Sequence, residues 1–174
     1  MGKYALPIIA MIIVVASSNF LVQFPINNWL TWAALTYPIS FLITDLTNRS
    51  YGPILARRVV YAGFALAIGL SIWLATPRIA LASGLAFLIA QLLDVYVFDY
   101  LRRRVWWKPP LVSSTVGSAI DTVIFFSIAF VGTGVPWITI GIGDFGIKLA
   151  IAIGLLLPFR ALIFLIKPDL ARTS

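Results

Sequence analysis

Long apolar runs, separated by short segments rich in proline and polar residues, dominate the pattern of this chain. A helix that crosses the hydrocarbon core of a bilayer needs about 20 mainly apolar residues, and six runs meet this requirement. They are Tyr4–Val22, Asn28–Leu46, Ala56–Ala75, Ile79–Tyr100, Val112–Gly132 and Phe145–Ile166. The pattern therefore predicts an all-α polytopic membrane protein with six transmembrane helices in one domain, residues 1–174. We expect the first run to be a retained helix and not a signal peptide, because it is long and no small-residue cleavage site follows it.

Basic residues between the runs predict the orientation of the helices. With the N-terminus inside, the inner segments hold ten Lys and Arg residues, whereas the outer loops hold Arg78. The inner residues are Lys3, Arg49, Arg57, Arg58, Arg102, Arg103, Arg104, Lys108, Lys167 and Arg172. Because short cytoplasmic loops carry an excess of Lys and Arg, both termini are expected to face the cytoplasm.

The composition excludes several kinds of chemistry. Hydrophobic residues make up 61% of the chain and charged residues 11%, against about 45–50% apolar and about 25% charged in soluble domains. The chain has no His and no Cys, which excludes disulfides, thiol nucleophiles, Cys/His zinc sites and Ser–His dyads. It also lacks a G-x-x-x-x-G-K-[ST] loop, so it does not hydrolyse ATP by that route. We predict no cofactor and no metal.

Polar side chains within the apolar runs are the candidates for a binding site, because a charge near the bilayer centre costs at least about 2.5–3.5 kcal/mol. Helical spacing places them on stripes that can face one another. The candidates are Asn19, Asp45, Asn48, Gln91, Asp94, Phe98, Ser118, Asp121, Thr122 and Arg160. Ion pairs that lock the helices together are the alternative for Asp45, Arg49, Asp99 and Arg160.

The chemistry of these candidates leaves three kinds of ligand open. Carboxylates accept paired N–H donors, amides and hydroxyls both donate and accept, and aromatic rings offer stacking faces. Such a set suits a flat heterocycle with a guanine-like edge. It would equally suit a cation or a proton relay, and the residues alone do not choose among them.

Several blocks of this sequence resemble the VUT family of queuosine-precursor transporters. The blocks are Asn19–Gln23, Thr36–Arg49, Ala90–Asp99 and Ser113–Ser114 with Gly117–Thr122. From Asn19 to Arg160 they follow the family's order and spacing. The resemblance implies a fold akin to the substrate-binding subunits of energy-coupling-factor transporters.

The same resemblance implies a function and a location. A member of this family would import 7-cyano-7-deazaguanine, with the 7-aminomethyl form as a second candidate, across the bacterial inner membrane for queuosine modification of tRNA. It would be a transporter and not an enzyme. Its partners would be the 7-deazaguanine substrate and membrane lipid. Separately from the resemblance, we expect a unit this small to be stabilised by forming a homodimer. The alternative is the substrate-binding subunit of an ATP-driven vitamin or nucleobase transporter.

One motif points to a different class of protein. Gly141-Ile142-Gly143-Asp144 matches the G-x-G-D signature of intramembrane aspartyl proteases, whose chemistry needs two aspartates that share a proton. With the last run beginning at Phe145, Asp144 would lie at its outer end, about half a membrane from Asp121. Asp144 and Lys148 are one helical turn apart, so an ion pair at a helix start explains both residues. We therefore interpret the motif as a chance match.

The segment Arg102–Lys108 combines basic residues with Trp106 and Trp107. Such a segment could bind anionic lipid or RNA. Tryptophan at headgroup level and arginine on the cytoplasmic side favour anchoring in the membrane interface. We predict no nucleic-acid partner.

Overall fold

The computed structural model describes residues 2–21, 24–27, 30–74 and 76–165. Within them lie the helices α1 (Gly2–Leu21), α2 (Trp32–Thr36), α3 (Ile39–Tyr51), α4 (Pro53–Leu74), α5 (Pro77–Leu101), α6 (Lys108–Phe130), α7 (Trp137–Gly154) and α8 (Leu156–Leu165). Two short antiparallel strands, β1 (Pro25–Asn27) and β2 (Leu30–Thr31), lie between α1 and α2.

Four stretches of the described residues are long and apolar enough to cross a membrane. They are Pro53–Leu70, Pro77–Leu101, Lys108–Phe130 and Trp137–Phe164, and Ala5–Leu21 forms a shorter apolar helix. The chain is therefore an all-helical, multi-pass membrane protein, as the hydrophobic pattern predicted. The first, third, fourth and fifth predicted runs coincide within a few residues with α1, α4, α5 and α6.

Local sequence explains where these helices start and stop. Gly52 ends α3 with a φ of 90°, a conformation that glycine adopts without steric penalty. Pro53 and Pro77 occupy first helical positions, where a missing N–H does no harm. The Thr76 side chain accepts a hydrogen bond of 3.4 Å from the backbone N–H of Ile79 and so caps α5.

The prediction of one continuous helix over Asn28–Leu46 is wrong. Leu30–Thr31 is a strand, and the helical backbone that follows is interrupted at Tyr37-Pro38 between α2 and α3. Proline has no N–H to donate, and it disfavours helical geometry in the residue before it. α3 is therefore a separate short helix, and most of its polar residues are buried inside the bundle.

The predicted start of the last helix at Phe145 is also wrong. α7 begins at Trp137, and the helix breaks at Leu155 before continuing as α8. Gly141 and Gly143 lie within α7, and glycine is common in membrane helices. Pro158 cannot donate a hydrogen bond to the carbonyl of Gly154, which accounts for the break. Asp144 therefore lies about two turns inside a helix.

An apolar core and a polar seam share the interior of the bundle. The apolar core lies between α1, α4 and α5 and consists of Met11, Val15, Ala56, Val59, Val60, Ala67, Phe87 and Val95. α5 packs most extensively against α6. Gly117 on α6 permits a close approach, because a Cβ there would lie 2.7 Å from the Phe41 ring and 3.2 Å from the Ala90 carbonyl oxygen. We call the buried polar residues where α3, α5, α6 and α7 meet the polar seam; they include Ser40, Thr44, Asp45, Asn48, Gln91, Asp94, Asp121 and Lys148.

Candidate functional site

Two stripes of α3 position the polar seam. Ser40, Thr44 and Asn48 recur every four residues and face α5, whereas Phe41 and Asp45 form the neighbouring stripe that faces α6. Residues four apart lie one above the other on a helix, which explains why each stripe meets one partner. Because α3 is short and nearly every polar residue on it is buried, its side chains must find hydrogen bonds inside the protein.

The first layer of the seam surrounds the amide of Gln91. Its Nε2 donates to Ser40 Oγ at 2.8 Å, and its Oε1 accepts from Thr44 Oγ1 at 2.7 Å. All three side chains are fully buried. The amide is therefore satisfied at both ends by α3, and these bonds tie α5 to α3.

A second layer holds an ion cluster where the Tyr37-Pro38 turn before α3 meets α6 and α7. Lys148 Nζ lies 2.8 Å from Asp121 Oδ2 and also forms an ion pair with Asp144. The Tyr37 hydroxyl donates to Asp121 Oδ1 at 2.9 Å, and Thr122 Oγ1 donates to Asp144 Oδ2 at 2.9 Å. The Lys148 ammonium also lies 5.6 Å from the centre of the Tyr37 ring. Two carboxylates thus share one lysine, which leaves one formal negative charge in the cluster.

This cluster corrects the expected separation of the two acids. Asp144 and Asp121 both contact the same ammonium group, so they are not half a membrane apart. The estimate was wrong because α7 begins at Trp137 and brings Asp144 down to the level of Asp121. The pairing of Asp144 with Lys148 itself is confirmed.

A third layer holds two more acids near the N-terminal half of α6. Asp45 Oδ1 accepts from Ser113 Oγ at 3.1 Å, and Asp45 Oδ2 accepts from Ser114 Oγ at 3.2 Å. Asp94 on α5 faces Asp45 and is fully buried. Neither oxygen of Asp94 has a hydrogen-bond partner among the residues that the structure describes.

The end of the seam beyond this layer is closed by arginine. Arg102 donates to both the backbone and the side-chain oxygen of Asn48, and its Nε lies 3.0 Å from Asp99 Oδ1. Asn48 Nδ2 donates to the Val95 carbonyl at 2.9 Å, and Arg49 donates to the Arg102 carbonyl at 2.8 Å. These bonds join the ends of α3 and α5, so Asn48 acts here as a link between helices.

A narrow cleft opens beside the second and third layers. Its lining consists of Pro38, Phe41, Leu42, Asp45, Pro110, Ser114, Ser118, Lys148, Ala152, Leu155, Leu156 and Phe159. The cleft has a free volume of about 10 Å³, which is room for about one water molecule. Acid, ammonium and hydroxyl groups thus face two aromatic rings across a small space.

The structure brings most of the predicted site residues into this region. Asp45 and Ser118 line the cleft, Asp121 and Thr122 belong to the ion cluster, and Phe98 packs edge-on against Phe159 with ring centres 6.1 Å apart. Gln91, Asp94 and Asn48 lie in the layers described above.

Two predicted residues lie away from the seam. Asn19 Nδ2 donates to the Val15 carbonyl of its own helix at 2.9 Å. Arg160 is exposed on α8, and its guanidinium lies 4.7 Å from the ring centre of Trp106 and 4.8 Å from that of Phe164. Both contacts are local to the bundle surface and do not reach the cleft.

Sequence reasoning did not include Lys148 or Phe159 among the site residues. The ion pair with Asp144 already accounted for Lys148, so its second carboxylate partner, Asp121 on another helix, was not predicted. A lone lysine inside an apolar run was the available signal, because such a charge needs more than one partner when it is fully buried. Phe159 has no distinguishing signal among the many apolar residues around it.

Comparison with known proteins gives an independent line of evidence. Residues 31–75 and 70–163 match the family described as "Putative vitamin uptake transporter". The chain is 36% identical to the "Queuosine precursor transporter" of Escherichia coli (strain K12), an alignment that covers 84% of this chain and 80% of that protein. It is 35% identical to the "Probable queuosine precursor transporter" of Haemophilus influenzae, again over 84% and 80%.

A more distant relative has the same description. The "Probable queuosine precursor transporter" of Bacillus subtilis (strain 168) is 32% identical, over 71% of this chain and 67% of that protein. No solved structure matches the chain.

Proposed function

The chain belongs to the vitamin uptake transporter (VUT) family, and we propose that it imports a queuosine precursor into the bacterial cell. The substrate we assign is 7-cyano-7-deazaguanine, with the 7-aminomethyl form as the second candidate. The bacterial relatives and the long apolar helices support a place in the inner membrane. As a member of a transporter family, the chain is not an enzyme.

The cleft carries this proposal. A deazaguanine presents two adjacent N–H donors beside a carbonyl acceptor on one edge. The Asp45 carboxylate at the cleft wall can accept the paired donors, while the Ser118 hydroxyl can donate to the carbonyl. The rings of Phe41 and Phe159 line the same space and can lie against the faces of the heterocycle.

The size of the cleft supports a mechanism of alternating access. Room for about one water molecule is too small for a bicyclic base, so the bound state requires the lining helices to separate. α8 meets α7 at the break at Leu155 and bears Phe159, so a small rotation at this break would widen the cleft. A site that lies among several helices near the middle of a bundle suits this mechanism.

The orientation we propose has both termini in the cytoplasm. Arg102 links the ends of α3 and α5 at one end of the bundle, and Arg49 lies beside it. At the opposite end Arg78 donates to the carbonyls of Ile128, in the last turn of α6, and Val131, directly after it. Placing the end that is rich in arginine inside satisfies the positive-inside rule.

Uptake by the purified protein tests this function. Proteoliposomes that contain this chain alone should accumulate radiolabelled 7-cyano-7-deazaguanine, and unlabelled guanine-like compounds should compete. Asp45→Asn removes a charge-assisted acceptor worth about 1.5–3 kcal/mol, so its apparent affinity should fall about 10- to 150-fold. Asp99→Asn, an acid that is partly exposed and paired with Arg102, is the matched control and should transport normally.

Two results would contradict the proposal. Protein that is folded but neither binds nor transports either precursor would refute the substrate. Uptake that appears only when an ATPase subunit is added would instead support the arrangement of an ATP-driven vitamin transporter.

A further inference from the structure

Asp94 differs from the other buried acids in having no donor. Its side chain is fully buried, and neither of its oxygens accepts a hydrogen bond from any residue that the structure describes. By contrast, Asp45 has two serine donors, and Asp121 has Tyr37 and Lys148. A buried carboxylate without donors is strongly unfavourable, so this group needs a positive partner or a proton.

The neighbour of Asp94 does not supply that partner. Asp45 faces it, and both groups are acceptors when they are ionised. Ser113 Oγ lies 3.1 Å from Asp45 Oδ1, and its single hydroxyl hydrogen cannot serve both carboxyl groups. If both carboxyl groups are ionised, the pair therefore lacks one hydrogen-bond donor. A proton on Asp94 would turn it into a donor to Asp45 and would complete the hydrogen bonding of the pair.

The charged groups on the surrounding helices are already engaged or face outward. Lys148 on α7 is held by Asp121 and Asp144, Arg102 after α5 is held by Asn48 and Asp99, and Arg49 on α3 donates to a backbone carbonyl. Arg78 at the start of α5 donates to carbonyls at the end of α6. Six further basic residues are exposed, namely Arg57, Arg58, Arg103, Arg104, Lys108 and Arg160. Within the described residues, Asp94 therefore has no cationic partner.

We propose that Asp45 and Asp94 together bind one proton, and that this site couples import of the substrate to inward movement of a proton. This inference rests on the function proposed above. The proton forms an O–H bond with a carboxylate oxygen of Asp94 from the outer side, and the same bond breaks when the proton leaves to the cytoplasm. We do not assign the proton to the Asp121 cluster, because both of its carboxylates already have donors: Tyr37 and Lys148 on Asp121, and Lys148 and Thr122 on Asp144.

Asp45 links the binding of the substrate to the binding of the proton. One side of Asp45 lines the substrate cleft, and the other faces Asp94. When the pair lacks a proton, repulsion between the two carboxylates pushes Asp45 out of the position in which it accepts substrate donors. The proton therefore raises the affinity for substrate, and substrate must raise the affinity for the proton by the same factor.

Transport driven by a pH gradient tests the coupling. With the membrane potential clamped at zero, one proton per substrate gives about tenfold accumulation for each unit of inward-acid pH difference, since one unit corresponds to about 1.4 kcal/mol. In Asp94→Asn the amide N–H₂ permanently replaces the donor that the proton supplies. This variant should still exchange internal for external substrate, but it should lose accumulation that depends on the pH gradient.

A control and a spectroscopic measurement complete the test. Asp99→Asn keeps an acid-to-amide change on α5 but lies at the partly exposed pair with Arg102, so its accumulation should match the wild type. Infrared spectra of the wild-type protein should show the carbonyl band of a protonated carboxyl group that is missing in Asp94→Asn. If the variant does not fold, the wild-type band and its loss at alkaline pH still decide whether a proton is bound.

The outcomes separate this proposal from the proposed function. Wild-type protein that exchanges substrate but does not respond to a pH gradient would overturn the coupling while leaving the substrate intact. Accumulation driven by a sodium gradient at equal pH would show that the pair binds sodium instead and would also overturn it. Protein that neither binds nor exchanges a precursor would refute the function itself.

Discussion

Removing the lysine that two buried carboxylates share should destabilise the protein strongly. The side chain of Lys148 is 7% exposed, as is that of Asp121, and that of Asp144 is 19% exposed. In Lys148→Met the stem volume is nearly preserved, but both acids lose their ammonium partner. Breaking a buried ion pair by deleting one partner costs about 3–5 kcal/mol, and we expect a loss of that size in the free energy of unfolding.

The ion pair Arg102–Asp99 is the reference against which this loss of stability is compared. Its side chains are 29% and 43% exposed, and exposed pairs contribute about 0.2–1 kcal/mol. Asp99→Asn should therefore cost less than about 1 kcal/mol. Reversible unfolding of both variants in mixed micelles, followed by circular dichroism, measures the two losses under the same conditions.

A triple variant distinguishes loss of charge pairing from loss of packing. Adding Asp121→Asn and Asp144→Asn to Lys148→Met removes the uncompensated charges while keeping the shapes of the side chains. This triple variant should recover most of the lost stability, because replacing a complete buried ion cluster is often close to neutral. A loss in Lys148→Met no larger than that in Asp99→Asn, or no recovery in the triple variant, would refute the reasoning.

Two further substitutions test the packing and the helix ends. Gly117→Ala places a Cβ 2.7 Å from the Phe41 ring and 3.2 Å from the Ala90 carbonyl oxygen, so it should lower the free energy of unfolding by about 1–3 kcal/mol. Gly143→Ala, where a Cβ would meet nothing within 4 Å, is the control and should be neutral or stabilising. Equal unfolding curves for these two variants would contradict the close approach at Gly117. Arg78→Ala removes hydrogen bonds to the carbonyls of Ile128 and Val131 at the end of α6. Amide hydrogen exchange should therefore speed up in the last turn of α6, whereas unchanged exchange would show that these bonds do not stabilise the helix end.

The helical architecture was largely predictable because the bilayer imposes it locally. Apolar runs of sufficient length identified α1, α4, α5 and α6, since backbone groups in hydrocarbon must pair within their own segment. The breaks at Pro38 and Leu155 were not predicted. Proline signals were present at both places, but whether a proline kinks, caps or interrupts a membrane helix depends on which neighbours satisfy the freed carbonyl.

The candidate site was predictable in its residue types and less so in its pairing. Polar residues at helical spacing pointed correctly to buried stripes, and Gln91, Asp94 and Asp121 do lie in the interior. The assignment of Lys148 to Asp144 alone was incomplete, because a neighbour four residues away can be identified along one helix but a partner on another helix cannot. Asn19 and Arg160 were included as polar residues within apolar runs, yet Asn19 bonds to its own helix and Arg160 stacks on Trp106 away from the cleft.

By itself, the amino-acid sequence determined that this protein is embedded in a lipid bilayer, that it crosses the bilayer several times, and that acids and amides lie among apolar helices. These properties follow from the transfer free energies of side chains, which act residue by residue. Only the tertiary structure determined which acid pairs with a lysine, which accepts hydrogen bonds from serines and which has no donor among the described residues. Such pairings depend on the register and approach of separate helices to within an ångström or so, and hydrogen bonds are lost over that distance.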